Sequence, residues 1–212
     1  MSIAVELSTK YDEIHRTAGP SISAALKKAT TDHKNSFDPS KAIQLGDKFP
    51  DFQLSDAKGD QVSLQDLLRT GPLLISFYRG QWCPYCNIEL HALQKLLPEF
   101  KAKQVTLVAI SPELPDQALS TAEKNGLEFP VLSDIGNKLA KQLGIVYAQP
   151  EEMSSLLTFV DWEKSYGDKS FEVPVPATIL VDQKGIVRNT FVEAAWHERL
   201  DPSTTLQWIE KL

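Results

Sequence analysis

Residues 77 to 86 read FYRGQWCPYC and hold the only two cysteines of the chain, Cys83 and Cys86. A pair this close can serve as part of a metal site, as a crosslink or as a redox couple. Tetrahedral zinc takes four ligands. No second cysteine pair exists, and His15, His33, His91 and His197 are scattered, with only His91 near the thiols. No metal is therefore expected, and no catalytic role falls to the histidines. A crosslink closing so short a loop would constrain little of the unfolded chain. Redox chemistry fits better. Cys83 follows an apolar run and a short glycine-containing loop, and Pro84 suits the first position of a helix. Cys83 is thus expected at the helix N-cap, with Cys86 one turn in. Free backbone N–H groups and the helix dipole favour a thiolate there, the form that attacks disulfides and peroxides. A sulfenic acid or mixed disulfide on one sulfur can be resolved by the other, a cycle that needs no cofactor.

The same position makes Cys83 the expected reactive thiol, accessible at the helix start, while Cys86 faces into the helix. Arg79 is placed to favour the thiolate and to stabilise a departing oxygen, or else is a plain surface cation. Trp82 and Tyr85 are expected to shape a docking surface for a partner disulfide. Tyr78 reads as core.

Elements that could position this stretch alternate along the chain. PLLISFY (72–78) and QVTLVAIS (104–111) are apolar runs of the kind buried on both faces of a sheet. FQL, the turn DAKGD and VSL suggest a hairpin. A helix follows the cysteines, with Leu90, Leu93, Leu97 and Phe100 inward, and Pro98 should end it about one turn early. PDQALSTAEKNG reads as a helix opened by Pro115 and closed by Gly126. FPVLSD and KLAKQLG give a short strand and helix, residues 148–175 an inserted helix and loop, ATILVD and IVRNTFV a strand pair, and DPSTTLQWIEKL a last helix. The expected fold is α/β, with a mixed central sheet flanked by helices.

Residues 1–44 differ from the rest. Ile3, Leu7, Tyr11, Ile14 and Ala18 share one helical face, Gly19-Pro20 breaks it, and Ile22, Leu26 and Ala29 begin a second stripe. TTDHKNSFDPSK reads as linker. This helical arm must cover its apolar face on the main domain, residues 45–212, or on a second copy as a homodimer.

The 212 residues are 42% hydrophobic and 24% charged, with a net charge of −6 spread along the chain. Nucleic acid and anionic membranes are poor partners for such a surface. No run reaches the ~18 apolar residues of a membrane span. MSIAVELSTK lacks the basic start of an export signal, so a cytoplasmic location is expected.

Over roughly residues 45 to 212 the chain resembles the alkyl hydroperoxide reductase and thiol-specific antioxidant family, in its peroxiredoxin-like branch with a C-x-x-C motif. The resemblance rests on GDKFPDFQLSD, LISFYRGQWCPYC, VTLVAISPE, FPVLSD and VPATILVDQKG. It implies a thioredoxin-like fold with an N-terminal helical extension. It also implies reduction of hydroperoxides through a Cys83–Cys86 dithiol/disulfide cycle, regenerated by a small protein dithiol or glutathione. Pro176, before the late strand, matches the proline that is cis in thioredoxin-like proteins. The peroxiredoxin motif laid on FYRGQWCPYC puts its proline on Arg79, its threonine on Cys83 and its attacking cysteine on Cys86. The thioredoxin motif makes Cys83 the attacker and Cys86 the resolver. The aspartate that serves thioredoxin as proton acceptor falls near Ser76. Two further functions stay open: a thiol–disulfide oxidoreductase with little peroxidase activity, and a redox-sensing module whose disulfide alters association of the arm.

Overall fold

A computed structural model describes residues 2–212. The two apolar runs form β3 (Leu73–Phe77) and β4 (Thr106–Ser111), parallel neighbours with Leu73 opposite Thr106 and Phe77 opposite Ile110. All of β3 is buried, as a strand covered on both faces must be. β5 (Val131–Ser133) runs parallel beyond β4, and the hairpin of β1 (Gln53–Asp56) and β2 (Gln61–Ser63) completes that side. On the other side β8 (Ala177–Val181) lies antiparallel to β3 and pairs with β9 (Val187–Val192). The order β2-β1-β5-β4-β3-β8-β9 is the mixed sheet expected of a thioredoxin-like fold.

Alternate residues along a strand point to opposite faces, so the sheet carries two cores. Leu74, Leu107 and Leu180 pack with α4 (Pro84–Lys95), α5 (Leu97–Ala102), α6 (Pro115–Asn125) and α10 (Pro202–Ile209). Leu73, Ile75 and Val108 pack with α3 (Leu64–Thr70) and α7 (Lys138–Gln142). Helix α4 stops at Lys95 because the ring of Pro98 forbids continuation, and Gly126 closes α6 in the left-handed region at φ 58°.

At the N-terminus, α1 (Ile3–Thr17) and α2 (Gly19–Ser36) part at the Gly-Pro break. Ile3, Leu7 and Ala29 are buried in the core that contains α4, so the arm lies on its own chain. The linker expected over TTDHKNSFDPSK is corrected: residues 30–36 form the last turns of α2. Thr31, Asp32, Lys34 and Asn35 are exposed around His33, which is buried. A solvated helix face with one buried histidine offers no apolar stripe to read. The His33 Nδ1–H donates to the Ala194 carbonyl at 2.8 Å, and its ring stacks on Tyr147 with centroids 3.7 Å apart.

Residues 148–175 contain α8 (Glu151–Leu156) and α9 (Trp162–Tyr166). They also contain β7 (Glu172–Pro174), which pairs with β6 (Val146–Ala148) in a separate ribbon that the sequence reading did not anticipate. The cis bond expected at Pro176 is likewise corrected, because no peptide bond among the described residues is cis. Between β7 and β8 the Val175 N–H donates to the Ile145 carbonyl at 2.6 Å, and the Pro176 carbonyl accepts the Glu193 N–H at 3.3 Å. A trans proline suits such an extended path, and its missing N–H is not called upon.

Candidate active site

From the end of β3 the chain turns through residues 78–82 and enters α4. Cys83 is the N-cap, with extended backbone at φ −83° and ψ 110°, and Pro84 is the first helical residue, as the spacing predicts. Both cysteines are free thiols. Neither has exposed surface. Cys83 is therefore not the open thiol expected of a helix start: it borders a cavity of about 450 Å³ walled by α1, α2, the α8 segment and Trp196. Cys86 does not line this cavity.

Gly80 permits the turn. Its φ is +153°, and a Cβ there would lie 2.2 Å from the Tyr166 hydroxyl and 2.7 Å from Trp82 Nε1. Those groups are themselves linked, since Trp82 Nε1–H donates to the Tyr166 oxygen at 2.5 Å and the Tyr166 hydroxyl donates to the Arg79 carbonyl at 2.9 Å. Gly80→Ala is expected to break this chain and to cost about 1–3 kcal/mol of stability. Chemical denaturation followed by tryptophan fluorescence would measure it.

Arg79 is no surface cation. Its side chain is buried, with the guanidinium carbon 4.6 Å from the Trp82 ring centre and 5.1 Å from that of Trp196. Nη1 lies 4.0 Å from Cys83 Sγ, and Nε has no acceptor among the described residues. Burial alone would raise the Cys83 pKa. Hydrogen bonds from the Cys86 thiol and backbone amide, with the charges of Arg79 and Arg199, outweigh it and lower the pKa to about 6. Burial and the Cys83 sulfur together push Cys86 well above the usual thiol range. One thiolate and one thiol result at neutral pH. Alkylation of the reduced protein by iodoacetamide is expected to follow a titration near pH 6, rising with pH as the thiolate forms. Arg79→Met should move that midpoint upward, towards the ordinary thiol value.

Trp82 is half-buried and Tyr85 is buried, and both line the cavity instead of forming an open docking face. Pro84 lines it too, whereas Pro176 is buried at the junction of β7 and β8.

Three functional candidates were missed in the sequence. Arg199, in the loop between β9 and α10, has a side chain only 1% exposed. Its Nε donates to Glu89 at 2.7 Å and its Nη2 to Cys86 Sγ at 3.4 Å. Glu89 is pushed up to about 7 by burial, against the pull of Arg199. It thus stands one turn beyond Cys86, able to take up a proton at neutral pH. Glu113 is also raised to about 7 by burial. It accepts the Gln81 N–H at 2.8 Å and the Tyr78 hydroxyl at 3.1 Å, which anchors the turn to the end of β4. A charged residue among the inward positions of α4 was a legible signal for Glu89. The coil around Arg199 carried none.

A mixed thioredoxin-like sheet with two thiols at the start of the helix after its central strand defines a peroxiredoxin-like protein of the thioredoxin superfamily. Residues 45–190 match the model of the AhpC/TSA family, and the chain belongs to that family. It is similar to peroxiredoxin Bcp of Escherichia coli (strain K12), 26% identical over 170 residues that cover 80% of this chain and 97% of that protein. It is also similar to the thiol-disulfide oxidoreductase ResA of Bacillus anthracis, 31% identical over 110 residues, 51% of this chain. That match spans 62% of ResA. Among solved structures, peroxidoxin BcpB from Mycobacterium tuberculosis superposes with a TM-score of 0.64 at 22% identity, covering 80% of this chain and 98% of that one.

Proposed function

We propose that this chain is a thiol peroxidase in which Cys83 attacks and Cys86 resolves. The Cys83 thiolate forms an S–O bond with the terminal oxygen of a hydroperoxide as the O–O bond breaks. The sulfur becomes a sulfenic acid, oxidised by two electrons, and the alkoxide leaves as an alcohol with a proton from solvent. Cys86 then gives up its proton, by way of Glu89, to which Arg199 links it, to the departing hydroxide, and attacks the Cys83 sulfur. Water departs and the disulfide closes. A protein dithiol or glutathione returns the two electrons, in keeping with a reducing, cytoplasmic setting. Arg79, with its unpartnered Nε, is suited to the charge that develops on the departing oxygen.

The observation that carries this reading is that Cys83, alone of the pair, combines a depressed pKa with a place on the cavity wall. Stopped-flow mixing of reduced protein with a hydroperoxide, read by thiol loss, tests it: a rate constant no greater than that of free cysteine would falsify the proposal. The second reading, a thiol–disulfide oxidoreductase, is supported by the C-x-x-C spacing and by the likeness to ResA. Rapid exchange with a model disulfide alongside slow peroxide reaction would favour it.

A further inference from the structure

We infer that His33, on the N-terminal arm, is a positioning residue for the thiolate: through Trp196 it fixes the guanidinium of Arg79 beside the Cys83 sulfur. The inference rests on the reading that Cys83 is the attacking thiol. A guanidinium taken out of water needs partners. Among the described residues Arg79 makes no ion pair, and its side chain has one hydrogen-bonding contact, the Cys83 sulfur at 4.0 Å. What holds it otherwise is aromatic: Trp82 with its ring centre at 4.6 Å and Trp196 at 5.1 Å. Arginine stacks well on indole faces, but such a contact fixes the cation only as firmly as the rings themselves are fixed.

Trp82 is tied by its own Nε1–H to Tyr166. For Trp196 the tie comes from His33, twice. The imidazole lies 17° from the plane of the indole, with centroids 6.3 Å apart. Its Nδ1–H donates to the carbonyl of Ala194, two residues before Trp196. One side chain of α2 thus grips both the ring and the backbone of this segment. His33 is itself held, since Tyr147 stacks against it at 3.7 Å and 23°. Because a carbonyl only accepts, Nδ1 carries the proton, and the buried Nε2 is bare, with no partner among the described residues. Protonating Nε2 would create a buried cation with an unmet N–H, so the ring stays neutral. Burial and the nearby charge of Arg79 accordingly hold the His33 pKa down to about 4. An imidazolium there would instead repel Arg79. Neither His33 nor Trp196 falls within residues 45–190, the stretch that matches the family model. The arm therefore does more than roof the cavity: it completes the setting of the charge that favours the thiolate.

The test follows iodoacetamide alkylation of Cys83 against pH in the full reduced chain, with folding checked by circular dichroism. His33→Ala removes the ring and its hydrogen bond together, and should raise the midpoint from about 6 by about one pH unit. At pH 6 the alkylation rate then falls about fivefold. His33→Phe keeps a flat ring against Tyr147 and Trp196 and should recover much of that shift. Trp196→Leu removes the relay while leaving His33 in place. It should shift the midpoint as far as His33→Ala, and it serves where that variant does not fold. Leu7→Ala weakens the arm from α1, outside the stack, and should lower stability without moving the midpoint. An unmoved midpoint in folded His33→Ala or Trp196→Leu would overturn the inference, as would a His33→Phe shift equal to that of His33→Ala. An equal shift in Leu7→Ala would also overturn it, because His33 would then merely seat the arm. A parent protein whose Cys83 titrates at the ordinary thiol value would instead remove the reading of Cys83 as attacker.

Discussion

Reduced Cys83→Ser protein mixed with a hydroperoxide is expected to form no sulfenic acid, and its rate should fall by roughly 10³-fold or more. Cys86→Ser, by contrast, should consume one equivalent of peroxide and stop, holding a sulfenic acid on Cys83 that dimedone traps. The asymmetry follows from ionisation. With a pKa of about 6, Cys83 is about nine-tenths thiolate at pH 7. Cys86, buried beside that negative sulfur, keeps its proton. Mass spectrometry of the trapped adduct identifies the attacking sulfur directly. Dimedone on Cys86 in the Cys83→Ser variant would instead support the alignment that sets the peroxiredoxin cysteine on Cys86, and would sink the assignment proposed above.

The second large effect is expected at Arg199. Its side chain bridges Glu89 and Cys86 with almost no exposed surface. Removing one partner of such a pair leaves the other buried and uncompensated, at a cost of about 3–5 kcal/mol. For Arg199→Met the cost should depend on pH. Glu89 has a folded pKa of about 7 against an ordinary value of 4.5, so it is protonated near pH 5 and needs no cation there. Above pH 7 the wild type holds it ionised against Arg199, whereas in the variant burial acts without that pull, the pKa rises further, and keeping the carboxyl protonated costs more as pH climbs. The loss in unfolding free energy should therefore grow as pH rises from 5 to 8. Adding Glu89→Gln should recover much of the high-pH deficit, and a double-mutant cycle at pH 5 and pH 8 would show it. A deficit equal at both pH values would mean that Arg199 serves through packing alone. Disulfide closure after oxidation should also slow in Arg199→Met, because Cys86 loses its neighbouring positive charge.

How much of this was legible beforehand depended on whether the signal was local. Cys83 at an N-cap followed by Pro84 is written within two residues, and the fully buried β3 within one apolar run. Both emerged as expected. The arm's first apolar face was also plain, because Ile3 and Leu7 recur at helical spacing. The end of α2 was not, since its inward groups are Thr30 and a histidine whose Nδ1–H reaches the distant Ala194 carbonyl. Arg199 lies 113 positions from Cys86 and joins it only through the fold. No spacing rule reaches that far. Cys83 was expected to be open because a helix start usually faces solvent. Its enclosure depends on tertiary packing by segments that read, in isolation, as an arm and an irregular insertion.

That enclosure bears on how the oxidised protein would be recycled. Thiol–disulfide exchange requires an incoming sulfur to approach an existing sulfur nearly end-on. With α1 and α2 seated over Cys83, which has no exposed surface, a cysteine carried on the rigid surface of a globular reductase would meet the two helices before the disulfide. Molecular bulk, as much as redox poise, would then decide which donor delivers electrons, unless the two helices lift away once the sulfurs are joined.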